Sequence, residues 1–304
     1  MNEFRPISLC NVLYKIFSKV LANRLKKILP SIITEHQLAF TKDRLISDNI
    51  LMAFETLHCM KRHNSGTDGY MALKLDISKA YDRVEYVFFK DLTRKMGFKD
   101  KWIGFMMVCV KTVTYSILVN GEPQEMIQPT RGIRQGDPLS PFLFLLRTKG
   151  QHGIINKAAS MREIIGFSLC KRGPKLTHLL FADDSLLFCK ATDVECGKVM
   201  QILSTYEEAS GQKINKNKTA VCFSKPTKED TRESIKGILG VQETNHYDKY
   251  LGLPSLLGRG KMRALTILKK GYDGNYKVGK ASSCHMPVEK FCSNQSSKQS
   301  QHMQ

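Results

Sequence analysis

Two adjacent carboxylates, Asp183 and Asp184, interrupt the apolar run Leu179-Leu180-Phe181-Ala182-Asp183-Asp184-Ser185-Leu186-Leu187-Phe188. A desolvated, unpaired carboxylate costs on the order of several kcal/mol or shifts its pKa to escape ionisation. A pair flanked on both sides by strand-forming residues therefore suits the tip of a hairpin at a surface cleft, where it can hold a divalent metal. The alternative is an ordinary surface turn, in which Asp is common. A third acid, Asp76, closes the strand-like run Tyr70-Met71-Ala72-Leu73-Lys74-Leu75 about a hundred residues earlier. If these strands are neighbours in one sheet, three carboxylates converge at its edge. Hard oxygen ligands of that kind suit Mg²⁺, which keeps waters and binds substrate phosphates. Two such ions about 3.5–4 Å apart activate an attacking hydroxyl and stabilise the leaving oxygen of an in-line phosphoryl displacement.

The surrounding pattern supplies the elements that must position these acids. Apolar residues recur at helical spacing from Asn11 to Leu29 (Val12, Leu13, Ile16, Phe17, Val20, Leu21, Leu25, Ile28), with Pro30 marking the expected end. A second helix is expected from Ser47 to His63, and the stretch from Asn64 to Gly69 reads as a loop. Helices follow from Arg83 to Met96 and from Lys101 to Lys111, with Gly97 as the cap between them. Asn120-Gly121 joins two strand-like runs, Tyr115–Val119 and Gln124–Gln128, into a hairpin. A helix from Pro141 to Met161 precedes the acidic hairpin, and another from Asp193 to Ala209 follows it. The strand Thr219–Ser224 then leads to Thr227-Lys228-Glu229-Asp230, which resembles a capping box opening a helix that stops near Gly240. Strands and helices alternate irregularly, which predicts an α+β fold and not a doubly wound sheet.

The formal charge of the 304-residue chain is +19, and this points to a polyanionic partner, nucleic acid before membrane. A basic but otherwise ordinary surface is the alternative. Residues 259–304 hold nine Lys/Arg against two Asp/Glu, so they contribute +7 and leave +12 on the remainder. Nine cysteines show no Cys-x-x-Cys spacing. Cys10, Cys59, Cys109, Cys170, Cys189 and Cys222 lie in apolar surroundings and are expected to be reduced, as in an intracellular protein of the cytoplasm or nucleus. Cys284, His285, Cys292 and His302 fit no zinc template. No apolar run is long enough to span a bilayer.

Three long motifs occur in a telling order. They are Lys74-Leu75-Asp76-Ile77-Ser78-Lys79-Ala80-Tyr81-Asp82, Gly132-Ile133-Arg134-Gln135-Gly136-Asp137-Pro138-Leu139-Ser140-Pro141, and Phe181-Ala182-Asp183-Asp184. Together they resemble the polymerase motifs of reverse transcriptases. The opening Phe4-Arg5-Pro6-Ile7-Ser8-Leu9 and the later Lys249-Tyr250-Leu251-Gly252-Leu253-Pro254 narrow the resemblance to the LINE-type (non-LTR) retrotransposon enzymes abundant in plant genomes, over about residues 4–262.

That resemblance implies a right-hand polymerase with fingers and palm: residues 1–70 as fingers-like helices, 71–258 as palm with interleaved fingers elements, and 259–304 as a degraded thumb or disordered basic tail. It implies RNA-templated DNA synthesis from a DNA primer and dNTPs with two Mg²⁺ ions, Mn²⁺ being the substitute. Asp76 and Asp183 would be the principal ligands, with Asp184 beside them. Tyr81 would reject a ribose 2′-hydroxyl, or else be a core tyrosine. Gln135, with the flexible Gly132 and Gly136, would shape the nucleotide pocket, although such glycines equally serve a plain turn. Arg44, with Lys42, would meet the triphosphate, or sit in a solvated loop. Lys218 matches the position that protonates departing pyrophosphate, and Tyr250, Leu251 and Gly252 would form a primer grip.

The chain also departs from the family pattern. No endonuclease, ribonuclease H or zinc-knuckle region is visible, and thumb helices are not recognisable after about Ala264. Where family members continue the helix after Pro141 with small, acidic and apolar residues, this chain reads Phe142-Leu143-Phe144-Leu145-Leu146-Arg147-Thr148-Lys149. Arg147 falls four residues after Leu143, so it is expected to intrude on the packed face at a desolvation cost. The alternative to an enzyme is therefore a truncated, inactive relic that only binds nucleic acid.

Overall fold

The protein is described from a computed structural model, for residues 8, 10–33, 37, 46–64, 69–169 and 173–244. Arg44, Lys42, Tyr250, Leu251, Gly252 and the basic tail lie outside the described residues. The centre is a five-stranded sheet in the order β6-β7-β1-β8-β9. Its strands are β1 (Tyr70–Leu75), β6 (His178–Phe181), β7 (Asp184–Lys190), β8 (Ala220–Phe223) and β9 (Gln242–Glu243). All neighbours are antiparallel except β8 and β9. Two small hairpins form sheets of their own: β2 (Tyr115–Val119) with β3 (Glu122–Ile127), and β4 (Phe167–Ser168) with β5 (Lys175–Leu176), the second packing Phe167 and Leu176 into a core of the central sheet.

Both faces of the sheet are covered, which explains why its strands read as nearly continuous apolar runs. Alternate residues go to opposite sides. Met71, Leu73 and Leu75 of β1, Leu187 and Cys189 of β7, and Val221 and Phe223 of β8 share a core with α6 (Asp193–Ser210), α7 (Glu229–Leu239) and the far end of α5 (Ser140–Ser160). Ala72, Leu186, Phe188 and Cys222 face the other way, against Met52, Ala53, Leu57 and Met60 of α2 (Ile46–Arg62). A third core joins the first half of α5 to α1 (Val12–Ile32), α3 (Tyr86–Lys95) and α4 (Asp100–Lys111). The fold is thus α+β, as the irregular alternation predicts.

Several local expectations hold. Asn120 and Gly121 both adopt positive φ, 53° and 89°, as a type I′ hairpin turn requires. Gly97 and Gly240 end α3 and α7 with φ of 86° and 63°. Cys109, Cys189 and Cys222 are buried free thiols, Cys10 and Cys59 are half-buried, and Cys170 lies outside the described residues.

Three expectations are corrected. Pro30 does not end α1; it lies inside the last turn, and the Ile33 N–H still reaches the Leu29 carbonyl at 2.8 Å. The capping box is not formed either. Lys228 occupies the cap position of α7 without a side-chain bond, while Thr227 is buried and its hydroxyl lies 3.5 Å from that of Ser224. Finally, only part of the apolar stripe of α1 is core. Leu21, Ala22, Leu25 and Leu29 are buried, whereas Val12 and Leu13 remain 72% and 81% exposed. Periodicity finds a helix and its apolar side but not how far a neighbour extends along it.

Candidate active site

Register brings the acids together. In the β1/β7 pair Leu75 lies opposite Ser185. One step further along both strands sets Asp76 beside Asp184 at the same sheet edge. Asp183 is next to it, in the two-residue turn between Phe181 and Asp184. Ala182 opens that turn with φ 50°, a conformation disfavoured for a residue with a Cβ. On the other side of β1 the pairing with β8 runs only to Lys74 opposite Ala220; beyond it the next bridge joins Ile77 to Ile214, and Lys218 sits on the turn between, out of register with Asp76. The turn carrying Lys218 is tied to this edge by the main chain: the Asn215 N–H donates to the Asp76 carbonyl at 2.9 Å, and the Asp76 N–H donates to the Thr219 hydroxyl at 3.2 Å.

All three carboxylates are half-buried, and Lys218 is exposed. Asp76 and Asp183 make no ion pair among the described residues, an unusual situation for half-buried acids in a chain of formal charge +19. Their oxygens suit a hard divalent cation whose remaining positions go to water and phosphate. Among the described residues, however, no three His, Cys, Asp or Glu side chains close into a metal-holding group. The backbone therefore assembles the acids on one edge without drawing all three side chains together.

Tyr81 stands beside this edge. Its ring stacks on Phe144, centroids 4.7 Å apart and planes within 6°. Burial pushes its hydroxyl up to about 12, the Asp183 carboxylate adds to the rise, and the Arg147 guanidinium opposes it. The phenol is accordingly neutral at any ordinary assay pH. It is both a packed tyrosine and a neighbour of Asp183.

The glycine-containing loop is stitched to the segment that carries Tyr81. The Ile133 N–H donates to the Tyr81 carbonyl and the Gly132 N–H to the Val84 carbonyl, both at 2.9 Å. Gly132 has φ 97°, and a Cβ there would sit 2.9 Å from the Asp82 carbonyl oxygen. Gly132→Ala is expected to lower stability by about 1–3 kcal/mol through strain and this clash. An unchanged urea midpoint would show that the loop yields freely. Gln135 lines a cavity of about 390 Å³ together with Asp82, Tyr86, Arg131 and Arg134; the three acids are not part of it, and Gly136 is exposed.

The motif reading missed a polar cluster under this loop. The Tyr14 hydroxyl donates to Asp137 at 2.5 Å, and the other Asp137 oxygen accepts from the Leu139 N–H at 2.9 Å. Arg134 lies 3.8 Å from the Tyr14 ring centroid and donates to the Cys109 carbonyl at 3.1 Å. Burial, then the hydrogen bond to Asp137, raises the Tyr14 pKa far above the ordinary phenol value. The cluster clamps α1 to the start of α5. Tyr14→Phe is expected to cost about 1.5–3 kcal/mol, the range for a hydrogen bond to a charged group, in a urea melt. A loss below about 0.5 kcal/mol would mean that water replaces the hydroxyl. Asp137 just before a helix was a legible signal, but its partner 123 residues away was not.

Arg147 does what its spacing predicts. It is fully buried, and all three guanidinium nitrogens lack a hydrogen-bond partner among the described residues. The group lies 4.2 Å from the Phe144 ring centroid and 5.7 Å from that of Tyr206. Burial pulls its pKa down, while Tyr206, Asp183 and Tyr81 pull it up. Arginine starts high enough to remain a cation.

A central antiparallel sheet, acids at one edge, helices on both faces and a glycine-containing loop alongside together describe a nucleic-acid polymerase palm. A family model described as "Reverse transcriptase (RNA-dependent DNA polymerase)" matches residues 1–254. The chain belongs to the reverse transcriptase family, and its relatives place it with the LINE-type (non-LTR) retrotransposon members. A Xenopus laevis protein named "Transposon TX1 uncharacterized 149 kDa protein" is 27% identical over 229 residues, covering 72% of this chain and 16% of that protein. A Drosophila melanogaster "Retrovirus-related Pol polyprotein from type-2 retrotransposable element R2DM" is 28% identical over 227 residues, covering 73% and 20% respectively. The chain thus spans at most about a fifth of the length of these two relatives. In three dimensions it resembles a Candida tropicalis apo telomerase, with a TM-score of 0.51 at 16% identity over 79% of this chain and 43% of that one. That likeness concerns the fold alone. Among the described residues no helix is long and apolar enough to cross a membrane.

Proposed function

We propose that the chain is the fingers and palm of an RNA-directed DNA polymerase that extends a DNA primer on an RNA template with dNTPs. The carrying observation is the strand register that sets Asp184 beside Asp76 on adjacent strands, with Asp183 in the connecting turn. Asp76 and Asp183, aided by Asp184, would hold divalent ions, Mg²⁺ or in its place Mn²⁺. When bound, two such ions supply charge stabilisation to the transferring phosphoryl group. Lys218 is exposed on a turn tied to Asp76 and would give a proton to departing pyrophosphate. Tyr81 would press its neutral, packed ring against the sugar, and Gln135 and Gly136 would border the base. Arg44 with Lys42, and the grip at Tyr250, Leu251 and Gly252, complete the assignment from the resemblance. The same reading divides the chain into fingers (residues 1–70), palm (71–258) and a thumb remnant (259–304).

The test is primer extension by the full chain on an RNA template with Mg²⁺, beside Asp183→Asn. Extension lost in the variant supports the polymerase. A folded protein that binds template in a salt-sensitive manner yet extends nothing supports the second reading, an inactive nucleic-acid-binding relic. One observation favours that second reading: Arg147 is a buried cation without a hydrogen-bond partner among the described residues, on the helix whose Phe144 stacks on Tyr81. Selectivity offers a separate check. Tyr81→Ala is expected to raise ribonucleotide use relative to deoxyribonucleotide use by roughly ten- to a hundredfold, the scale of a steric filter. An unchanged ratio would assign Tyr81 to the core alone.

A further inference from the structure

We propose that α1 and α4 together form a docking surface for an acidic amphipathic helix of a partner protein. α1 has two apolar faces, and the fold uses only one of them. At about 100° per residue, Ser18, Leu21, Ala22, Leu25 and Leu29 share one arc of the helix, and all are buried. Val12, Leu13, Ile16, Phe17 and Val20 share a second arc, roughly opposite the first, and all five are exposed. Single exposed apolar residues are ordinary, but a contiguous set rimmed by charge marks an interaction site. α4 extends this face. The Tyr14 hydroxyl lies 3.3 Å from the Cys109 carbonyl oxygen of α4, so the two helices run close together. Phe17 meets Phe105 of α4 edge to face, ring centroids 6.2 Å apart. These two rings are 40% and 38% exposed, whereas Leu13 and Val108 stand out at 81% and 53%. The surface is therefore a seam floored by two rings with a raised apolar residue on each helix, a shape that an inserted helix fills.

Charge selects the occupant. α1 carries five Lys/Arg and no Asp or Glu. Lys15, Lys19 and Lys26 occupy the arc between its two apolar faces, are exposed, and make no ion pair among the described residues. On α4, Lys101 and Lys111 are exposed, and the one acid, Asp100, is engaged by Arg94 at 3.0 Å. A helix with apolar residues three and four apart, flanked by Asp or Glu, would bury the seam and meet these cations at its rim. Other occupants fit less well. A second copy of this chain would bring the same cations into an isologous contact. Residues 259–304 carry +7 and are repelled by the rim. A nucleic acid would answer the lysines through its phosphates and leave the apolar seam uncovered. A flat anionic bilayer would meet the raised residues without reaching the rings between them.

The experiment is fluorescence anisotropy of the full chain with a labelled helical peptide of about 18 residues, its leucines three and four apart and flanked by glutamates. A control peptide has lysine in place of each glutamate. Wild type is compared with Leu13→Ser/Ile16→Ser and with Lys15→Glu/Lys19→Glu, exposed positions whose substitution is expected to leave the urea midpoint unchanged. Wild type is expected to bind the acidic peptide at least about tenfold more tightly than the basic one, and Leu13→Ser/Ile16→Ser to lose at least about tenfold. Lys15→Glu/Lys19→Glu should weaken the acidic peptide and tighten the basic one. No binding, equal binding of the two peptides, or an affinity indifferent to Leu13→Ser/Ile16→Ser would overturn the proposal. It would also be overturned if Leu13→Ser/Ile16→Ser abolished binding to vesicles of equal parts phosphatidylserine and phosphatidylcholine, binding to single-stranded RNA, or self-association in sedimentation, since each gives this face another occupant. None of these readouts involves the acid edge or primer extension, so the polymerase reading stands or falls separately.

Discussion

Asp183→Asn is expected to lower primer extension on an RNA template by at least about a hundredfold while leaving the fold and nucleic-acid binding intact. The magnitude follows from electrostatics at the reacting centre, where removal of one preorganised group costs about a hundred- to a thousandfold. Asn keeps the size and turn preference of Asp, so the two-residue connection between Phe181 and Asp184 is preserved. Asp183 is half-buried and makes no ion pair among the described residues, so little stability depends on its charge. The urea midpoint should shift by no more than about 0.5 kcal/mol, the usual range away from packed or paired positions. A variant that extends primers at the wild-type rate would remove Asp183 from the chemistry. A variant that unfolds would reassign it to structure.

Arg147→Met should stabilise the protein, by about 1–3 kcal/mol in a urea melt. Two effects oppose each other. The effective penalty for burying an unpaired ion is several kcal/mol, on the order of 3–5 when a partner is missing. The attraction of the guanidinium to the Phe144 and Tyr206 rings returns roughly 2 kcal/mol when desolvated, more at the nearer Phe144 than at Tyr206. The penalty wins. Methionine fills nearly the same elongated space without a charge, and the small void it leaves subtracts only a few tenths of a kcal/mol. A destabilised Arg147→Met would show that the guanidinium is better satisfied than its surroundings indicate, or that its stem supplies the packing. The midpoint of unfolding separates these cases from the expected gain because Arg147→Gln keeps the polar end and loses the charge.

Local chemistry made most elements legible. Asn120-Gly121 demanded a tight hairpin, Gly97 and Gly240 marked helix ends, and the nearly continuous apolar run Tyr70–Leu75 reported a strand buried on both faces. The misreadings were of one kind. Pro30 looks like a stop, but a proline in the last turn forfeits only one bond, and the following Ile33 N–H still finds Leu29. Thr227 looks like a cap, but burial beside Gly69 and Ser224 takes its side chain elsewhere. Val12 and Leu13 look like core, but they lie on a side of the first turn of α1 that stays exposed. For Thr227, Val12 and Leu13 the local character was right, and a longer-range contact, or the lack of one, decided their role.

The sequence by itself determined the family and the α+β class, and it singled out the acids proposed to hold metal, because reactive residue types at fixed spacing leave a readable trace in a single chain. It also located the intrusive Arg147, since helical spacing alone puts that residue four positions beyond a core leucine. Only the tertiary structure decided which strands stand beside β1, and hence that Asp76 lies beside Asp184. It alone paired Tyr14 with Asp137 and left the Arg147 guanidinium without a partner among the described residues. Pairing and solvation depend on groups far apart in the chain, and no local pattern records them.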